Sequence, residues 1–158
     1  EAAKPEILPR ASQLTQKTNQ FNLTTRRYSE SDIAEFLAKG GKLWTVGARD
    51  IFGDYGTVGL AMFHPAAARL ENFLLSCRVL GRGIETALLA HIFDEAKKLG
   101  HKNVPAEFFP TKKNKPAEKF LPEAGFSLVK KDDLAEFYEY DLSREYKVPE
   151  YIKITTII

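Results

Sequence analysis

The sequence is poor in the residues that build disulfides and metal sites. It has one cysteine and three histidines among 158 residues. One cysteine excludes a disulfide within the chain, so we expect a protein of the reducing cytoplasm. The histidines and the cysteine are scattered without the spacing of metal ligands, so we expect no metal. No apolar run is long enough to cross a membrane and no segment resembles a secretory signal, so we expect no membrane partner.

The chain also lacks a large excess of charge of one sign. The formal net charge of +2 at pH 7 is too small to indicate a nucleic-acid partner. With 44% hydrophobic and 28% charged residues, the chain has an ordinary globular composition and can bury the core of one domain. It begins at Glu1, and its single methionine is Met62. We therefore expect a piece of a longer protein, with a linker remnant over 1–9, one domain over 10–143 and a C-terminal extension over 144–158.

Hydrophobic periodicity predicts alternating helices and strands. The predicted helices cover 9–18, a stretch from Ser29 to Gly40, 82–99, and a stretch from Asn114 to Gly125. The predicted strands cover 21–27, 42–49, 57–64, a run ending at Val79, 104–109, 126–130 and 135–142. This order predicts an α/β sandwich with a mixed sheet. Pro105 cannot donate to a strand ladder, so it marks a bulge, an edge or a place where neighbouring strands separate.

The most informative segment covers residues 77–83, between an apolar strand-like run and the longest predicted helix. Its Arg78-x-x-Gly81-x-Gly83 spacing lets backbone N–H groups, including those of Val79 and Arg82, approach an anion beside the positive end of a helix. The segment lacks the ending of a Walker loop and the three glycines of a dinucleotide fingerprint. It is therefore predicted to be a pyrophosphate-binding turn, although a strand-to-helix connection also needs glycine for steric reasons alone.

Two motifs resemble those of the GNAT acyltransferases. The turn is similar to their Gln/Arg-x-x-Gly-x-Gly/Ala motif, and residues 114–126 are similar to a motif whose asparagine caps a helix beside the donor. The resemblance implies a GNAT fold, with a mixed central sheet flanked by helices, and a donor arm lying where two parallel strands splay apart. It also implies that the turn residues and Asn114 hold coenzyme A or phosphopantetheine. Leu121 stands where the family has a tyrosine that protonates the leaving thiolate, so the usual general acid is absent.

Four longer stretches, residues 13–27, 52–59, 74–83 and 110–114, resemble the C-terminal half of FkbH-family proteins, and the resemblance spans residues 10–126. Members of that family pair a haloacid-dehalogenase-type phosphatase domain with a GNAT-like domain. The resemblance implies that Cys77 holds a glyceryl group as a thioester before the pantetheine thiol of an acyl carrier protein collects it. The chain has no Asp-x-Asp phosphatase motif. We therefore expect the transferase half, with the phosphatase domain absent from this chain.

The residues themselves leave the role of Cys77 open. Amide dipoles and the adjacent Arg78 and Arg82 favour a thiolate nucleophile, whereas a cysteine in an apolar strand is commonly a small buried hydrophobe. His64 and Glu107 are candidates for a base or an orienting group, and for each the alternative is a solvated residue near a strand end.

Two further segments are open to more than one interpretation. Asn19, Gln20 and Asn22 are more polar than the entrance of a strand requires, so they either turn the chain or line an acyl pocket. The C-terminal tail carries β-prone isoleucines, including Ile152 and Ile154, which favour pairing with an edge strand or a partner.

Three functions follow from these features. The first is an acyltransferase domain that passes a glyceryl or related hydroxyacyl group through Cys77 to a carrier protein. The second is a conventional N-acetyltransferase that uses acetyl-CoA without a covalent intermediate. The third is a catalytically silent module that docks the phosphopantetheine of a carrier protein.

Overall fold

The computed structural model describes residues 5–155. Within them the helices are α1 (Leu8–Lys17), α2 (Glu30–Ala38), α3 (Ile84–Lys98) and α4 (Phe120–Glu123). The strands are β1 (Phe21–Asn22), β2 (Lys42–Asp50), β3 (Gly53–His64), β4 (Arg69–Leu75), β5 (Asn103–Phe108), β6 (Ser127–Lys131) and β7 (Glu136–Asp141). Short 3₁₀ turns cover Pro5–Ile7, Pro65–Ala67, Cys77–Val79 and Lys115–Ala117.

The strands form one mixed sheet in the order β2-β3-β4-β5-β7-β6, with β1 paired to β4. Only β4 and β5 run parallel among the described strand pairs, and a single register pair, Leu70 with Ala106, joins them. The remaining pairings are antiparallel. The predicted α/β architecture with a mixed sheet is therefore confirmed.

Local signals explain where the helices begin and end. The Ser29 hydroxyl accepts a hydrogen bond from the Asp32 N–H while the Asp32 carboxylate accepts one from the Ser29 N–H, so a capping box starts α2. Gly40, with φ of +86°, follows the end of that helix. Gly83 stands directly before α3 and supplies no side-chain cap, so the first N–H groups of α3 have no capping partner from it.

The sheet buries a core on each face, because the side chains of β3 alternate. Leu60 and Met62 pack against α1 and α2, and Ala61 and Phe63 face the side of α3. The two faces therefore belong to different helical layers, and α3 carries the larger core.

Several predicted boundaries were wrong. The strand before α3 ends at Leu75, and Cys77 to Val79 form a 3₁₀ turn instead of continuing it. The strand predicted over 21–27 is only Phe21–Asn22, because the chain bends at Leu23 and Thr24 and Thr25 then takes a φ of +55°. Residues 1–4 and 156–158, which belong to the predicted linker and extension, lie outside the described residues.

Candidate active site

The gap between β4 and β5 is filled by the chain itself. Phe21 and Asn22 pair with Leu75 and Leu74, so β1 lies along the side of β4 that β5 leaves unpaired. Beyond β1, the Leu23 N–H donates to the Phe73 carbonyl at 3.1 Å, and the Phe109 N–H donates to the Leu23 carbonyl at 2.9 Å. The expected separation of the parallel strands is present, but these backbone groups of β4 are already bonded. A pantetheine arm cannot use them unless residues 21–23 move away.

Asn114 holds this segment in place. Its side chain is fully buried, and its Nδ2 donates to the carbonyls of Asn22 and Phe109, each at 2.9 Å. Its Oδ1 accepts from the Thr111 N–H at 2.7 Å and from the Thr111 hydroxyl at 2.9 Å. The prediction that Asn114 caps the following helical turn is wrong, because its side chain makes no cap hydrogen bond there. Any effect of Asn114 on a donor is therefore indirect, through residues 21–23.

The glycine turn has the backbone that an anion site needs. Gly81 and Gly83 have φ of +72° and +81°, which side-chain-bearing residues rarely adopt. A Cβ at Gly81 would meet no atom within 4 Å, so the space beside this residue is open. The open space at Gly81 fits a phosphate group, whereas Tyr151 and Ile152 pack against Gly83 at the start of α3.

The two arginines of the turn face different neighbours. The Arg82 Nη1 lies 2.7 Å from the Asp50 carboxylate and 3.0 Å from the Tyr55 hydroxyl, so Arg82 is tied to the end of the β2–β3 hairpin. Arg78 is exposed, and its Nε lies 3.3 Å from the Ser76 hydroxyl on the side of Cys77. Arg78 is therefore the arginine available next to the cysteine.

Cys77 is exposed and lines a cavity of about 280 Å³. The alternative of a buried structural cysteine is therefore wrong, and the reason is that β4 ends before it. The other walls of this cavity come from the end of α1, the polar segment before β1 and the end of β4, with lining residues Lys17, Thr18, Asn19, Gln20, Phe21, Leu75 and Ser76. Of the two interpretations of Asn19 and Gln20, lining a pocket is the one that this geometry supports.

His64 and Glu107 lie far from Cys77. His64 pairs with Arg69 at the first residue of β4, whereas Cys77 follows the last. Six residue steps of about 3.3 Å along β4 separate these ends by roughly 20 Å. Glu107 follows Ala106, the partner of Leu70, so it lies at the same end as His64. Neither residue can act as a base at Cys77 in this arrangement.

Both residues belong to a charged cluster around Glu71. The Glu71 carboxylate lies 2.8 Å from Arg26, 2.6 Å from Arg69 and 3.3 Å from the His64 Nε2. Glu107 lies within 3.6 Å of Arg26 and 3.8 Å of Arg69. Sequence reasoning missed Glu71, because a register shift in the β3–β4 pairing changes the face that it takes. No spacing in the sequence signals that shift.

A second and larger cavity, of about 650 Å³, lies beside α3. Val79 lines it, whereas Cys77 lines the smaller cavity, so the Cys77–Val79 turn separates the two. No group of three or more His, Cys, Asp and Glu side chains within residues 5–155 is arranged to hold a metal ion. In the same part of the chain, no helix has the length and apolar character needed to span a membrane.

Comparison with known proteins identifies the fold. No family model matches the sequence, and no curated protein matches it. Solved structures do match. The ribosomal-protein-S18-alanine N-acetyltransferase from Escherichia coli superimposes with a TM-score of 0.66 at 16% identity, covering 98% of this chain and 97% of its own.

Two further matches were solved with a cofactor. Rv2747 from Mycobacterium tuberculosis, in complex with CoA and NLQ, gives a TM-score of 0.63 at 13% identity, covering 89% of this chain and 97% of its own. The acetyltransferase yncA from Salmonella typhimurium, with acetyl-CoA, gives a TM-score of 0.60 at 14% identity, covering 95% of this chain and 96% of its own. At these identities the likeness establishes the fold alone: the chain has the GNAT acyltransferase fold.

Proposed function

We propose that this chain is an acyltransferase domain that carries a glyceryl or related hydroxyacyl group on Cys77 and passes it to the phosphopantetheine thiol of an acyl carrier protein. The observation that carries the proposal is the exposed Cys77 thiol in a cavity walled by Asn19 and Gln20, directly before a glycine turn suited to phosphate. The nucleophile and the small polar pocket thus lie together, and the turn suited to phosphate follows directly in the chain.

The chemistry is exchange between two thiols. The Cys77 thiolate attacks the acyl carbonyl carbon of the donor, a new C–S bond forms, and the donor's leaving group departs. The pantetheine thiolate then attacks the Cys77 thioester, and the Cys77 sulfur leaves as a thiolate. One proton is lost from the incoming thiol and one is regained by Cys77, and nothing is oxidised or reduced. Exchange of this kind makes a smaller demand on a general acid than amine acylation, which suits a chain with Leu121 at the tyrosine position.

The polar pocket supplies groups for a hydroxyacyl unit. The Arg27 guanidinium donates to the carbonyls of Thr15 and Gln16 and to the Asn19 Oδ1, so Asn19 is held against the end of α1. With its oxygen engaged, the Asn19 amide keeps its N–H groups for an acyl hydroxyl or carbonyl oxygen. Gln20 is exposed beside it and can donate or accept. A pocket of about 280 Å³ with two amides suits a small polyhydroxylated acyl group.

Intact-protein mass spectrometry tests the proposal. The chain is mixed with a glyceryl-thioester carrier protein, in parallel with the Cys77→Ala variant. We expect a hydroxylamine-sensitive glyceryl adduct on the wild type and none on the variant. Asn103→Ala replaces an exposed residue outside the cavity at Cys77, and this variant should form the adduct normally. Full transfer by a folded Cys77→Ala protein would refute the covalent mechanism.

A conventional N-acetyltransferase is the second candidate, because the glycine turn fits a phosphate and two structures of the same fold were solved with CoA or acetyl-CoA. That function predicts acetylation of an amine acceptor by the Cys77→Ala variant at the wild-type rate. The bonded edge of β4 and Leu121 favour the first candidate over it. Binding of pantetheine without adduct or acetylation would instead indicate a silent carrier-docking module.

A further inference from the structure

The cavity of about 650 Å³ beside α3 is a second place where this molecule can hold a small ligand. We call it the α3 cavity. It shares no lining residue with the cavity at Cys77, so the two open on different sides of the Cys77–Val79 turn. Its volume lies within the range of about 300–1,000 Å³ that is usual for small-molecule sites.

The floor of the α3 cavity is apolar. It is formed by β2, the turn before α3 and the first two turns of α3, with side chains Val46, Ala48, Val79, Ile84, Ala87 and Leu88. All six side chains are buried or half-buried. From Ile84 to His91 the floor follows seven residue steps of α3, or about 10 Å at 1.5 Å per step. Such a surface favours a chain-like apolar group over a charged or compact polar one.

The mouth of the α3 cavity is positively charged. Its exposed lining residues include Arg49, Arg82 and Lys153 against one carboxylate, Asp50. Asp50 is engaged by Arg82 at 2.7 Å and by the Tyr55 hydroxyl at 3.0 Å, so one pair of opposite charges is compensated there. The charges of Arg49 and Lys153 remain, and they favour an anionic head group.

The C-terminal segment closes one side of the α3 cavity. Tyr151, Ile152 and Ile154 line it. A Cβ on Gly83 would lie 2.6 Å from the Ile152 side chain and 3.2 Å from the Tyr151 hydroxyl, so this segment packs directly on the start of α3. The absence of a side chain at Gly83 is what allows the segment to come so close.

His91 lines the α3 cavity at the end of the floor farthest along α3 from the glycine turn, which we call the inner end. Burial, the largest influence, lowers the pKa of His91, and no hydrogen bond among the described residues acts on that pKa. Below its ordinary pKa of 6.5 an imidazole is charged, so a lowered pKa keeps His91 neutral at pH 7. Its ring lies 5.1 Å from the Trp44 ring in an edge-to-face arrangement. A neutral ring at the inner end tolerates an apolar chain terminus.

We propose that the α3 cavity binds an amphipathic anion: an acyl chain of medium length whose carboxylate or phosphate head group lies at the mouth, between Arg49 and Lys153. The site is separate from Cys77 and its small cavity, with which it shares no lining residue. Gly81 and Arg82 of the glycine turn do line it, so the head group proposed here and the phosphate of a donor would lie close to the same turn. Carboxylate and phosphate head groups share the recognition chemistry, and the experiment below separates them.

Trp44 makes the binding measurable, because it is the single tryptophan of the chain and contacts His91. The full chain is titrated with octanoate, octyl phosphate, octanol and acetate, by calorimetry and by Trp44 fluorescence. We expect saturable binding of octanoate or octyl phosphate, with the tighter of the two identifying the head group. Octanol lacks the charge and acetate lacks the chain, so each should bind at least roughly tenfold more weakly.

Two pairs of variants locate the ligand. Lys153→Glu reverses a charge at the mouth and should weaken binding of the anion by roughly tenfold, whereas Lys147→Glu, in the same segment but outside the cavity, should not. Ala87→Phe fills the floor and should abolish binding, whereas Ala90→Phe, on the same helix outside the cavity, should leave it intact. Because Lys153 is exposed, Lys153→Glu remains informative if Ala87→Phe fails to fold.

The proposal is overturned if neither anion gives saturable heat or fluorescence changes. It is also overturned if octanol binds as tightly as octanoate, or if Lys153→Glu and Lys147→Glu have equal effects. Cys77→Ala should bind octanoate like the wild type. Octanoate binding without a Cys77 adduct would therefore count against the transferase proposal alone, and an adduct without octanoate binding would count against this site alone.

Discussion

Replacing Asn114 by alanine should destabilise the fold more than any surface change, because this buried side chain joins two distant parts of the chain. Its amide joins the Asn22 carbonyl, 92 residues away in sequence, to the Phe109 carbonyl and to the Thr111 backbone. Alanine removes all of these hydrogen bonds at once and leaves a space where the amide was.

The expected magnitude follows from the exposure of each partner. Asn22 is fully buried, so its carbonyl has no access to water and its lost bond should contribute about 1–3 kcal/mol. Phe109 is half-buried and Thr111 is exposed, so water can replace part of what they lose and each should contribute about 0.5 kcal/mol. The free energy of unfolding should therefore fall by about 2–4 kcal/mol.

Urea denaturation, followed by circular dichroism, measures this difference. Asn103→Ala is the matched control, because Asn103 is exposed and makes one side-chain hydrogen bond, to Glu139 at 3.0 Å. It should change the free energy of unfolding by less than about 0.5 kcal/mol. Amide hydrogen exchange at Leu23 and Phe109 should also accelerate in Asn114→Ala. A loss below about 1 kcal/mol with an unchanged denaturant slope would refute the reasoning.

Two further predictions concern the glycine turn and an ion pair. Gly81→Val and Gly40→Val each place a branched side chain in open space at a similar positive φ, +72° and +86°. Both variants should therefore be less stable than the wild type. Only Gly81→Val should weaken the binding of coenzyme A measured by calorimetry. Equal affinity of the two variants for coenzyme A would refute the assignment of the glycine turn as a phosphate site. A hydrogen bond from Lys42 lowers the pKa of Glu95 below its ordinary 4.5. The stability that Glu95 contributes is therefore complete above about pH 4.5 and lost as the pH falls through the lower folded pKa. In urea titrations, the difference between wild type and Glu95→Gln should shrink over that acidic range, and a constant difference would contradict it.

Local signals in the sequence predicted much of the fold. The capping residue Ser29, the glycine after α2 and the apolar spacing of α3 each depend on a few neighbouring residues, so the positions of α2 and α3 followed from them within about two residues. The helix predicted from Asn114 to Gly125 was wrong, because only a 3₁₀ turn and the short α4 form there. The splayed strands were predicted from Pro105 and the GNAT resemblance, and Pro105 does lie beside the single β4–β5 register pair. Each of these features is determined by residues close to it in the sequence.

The candidate site depended on contacts between distant segments, which spacing does not reveal. The β1 segment reaches β4 across more than 50 residues, and its hydrogen bonds to β4 occupy the gap that the sequence predicted to be open. The tail was expected to pair with an edge strand or a partner, and residues 151–154 instead line the α3 cavity without forming a strand. His64 ends β3 just before the short connection into β4, so antiparallel pairing alone puts it at the end of β4 opposite Cys77. The position of Glu107 depends on the register between β4 and β5, which no spacing in the sequence gives.

Two departures from the usual GNAT motifs point to the same region of the molecule. Leu121 stands where the GNAT motif that this segment resembles has a tyrosine, and β1 bonds to the β4 groups that an arm in the gap would use. A reaction deep in the gap between β4 and β5 would thus lack both a general acid and free β4 backbone groups to bind the donor arm. Cys77 stands just outside the gap, exposed, beside a pocket and a phosphate-sized turn. The nucleophile that we propose at the rim would supply a reactive centre without reopening the gap, which is why the first experiment on this chain should look for an acyl group on Cys77.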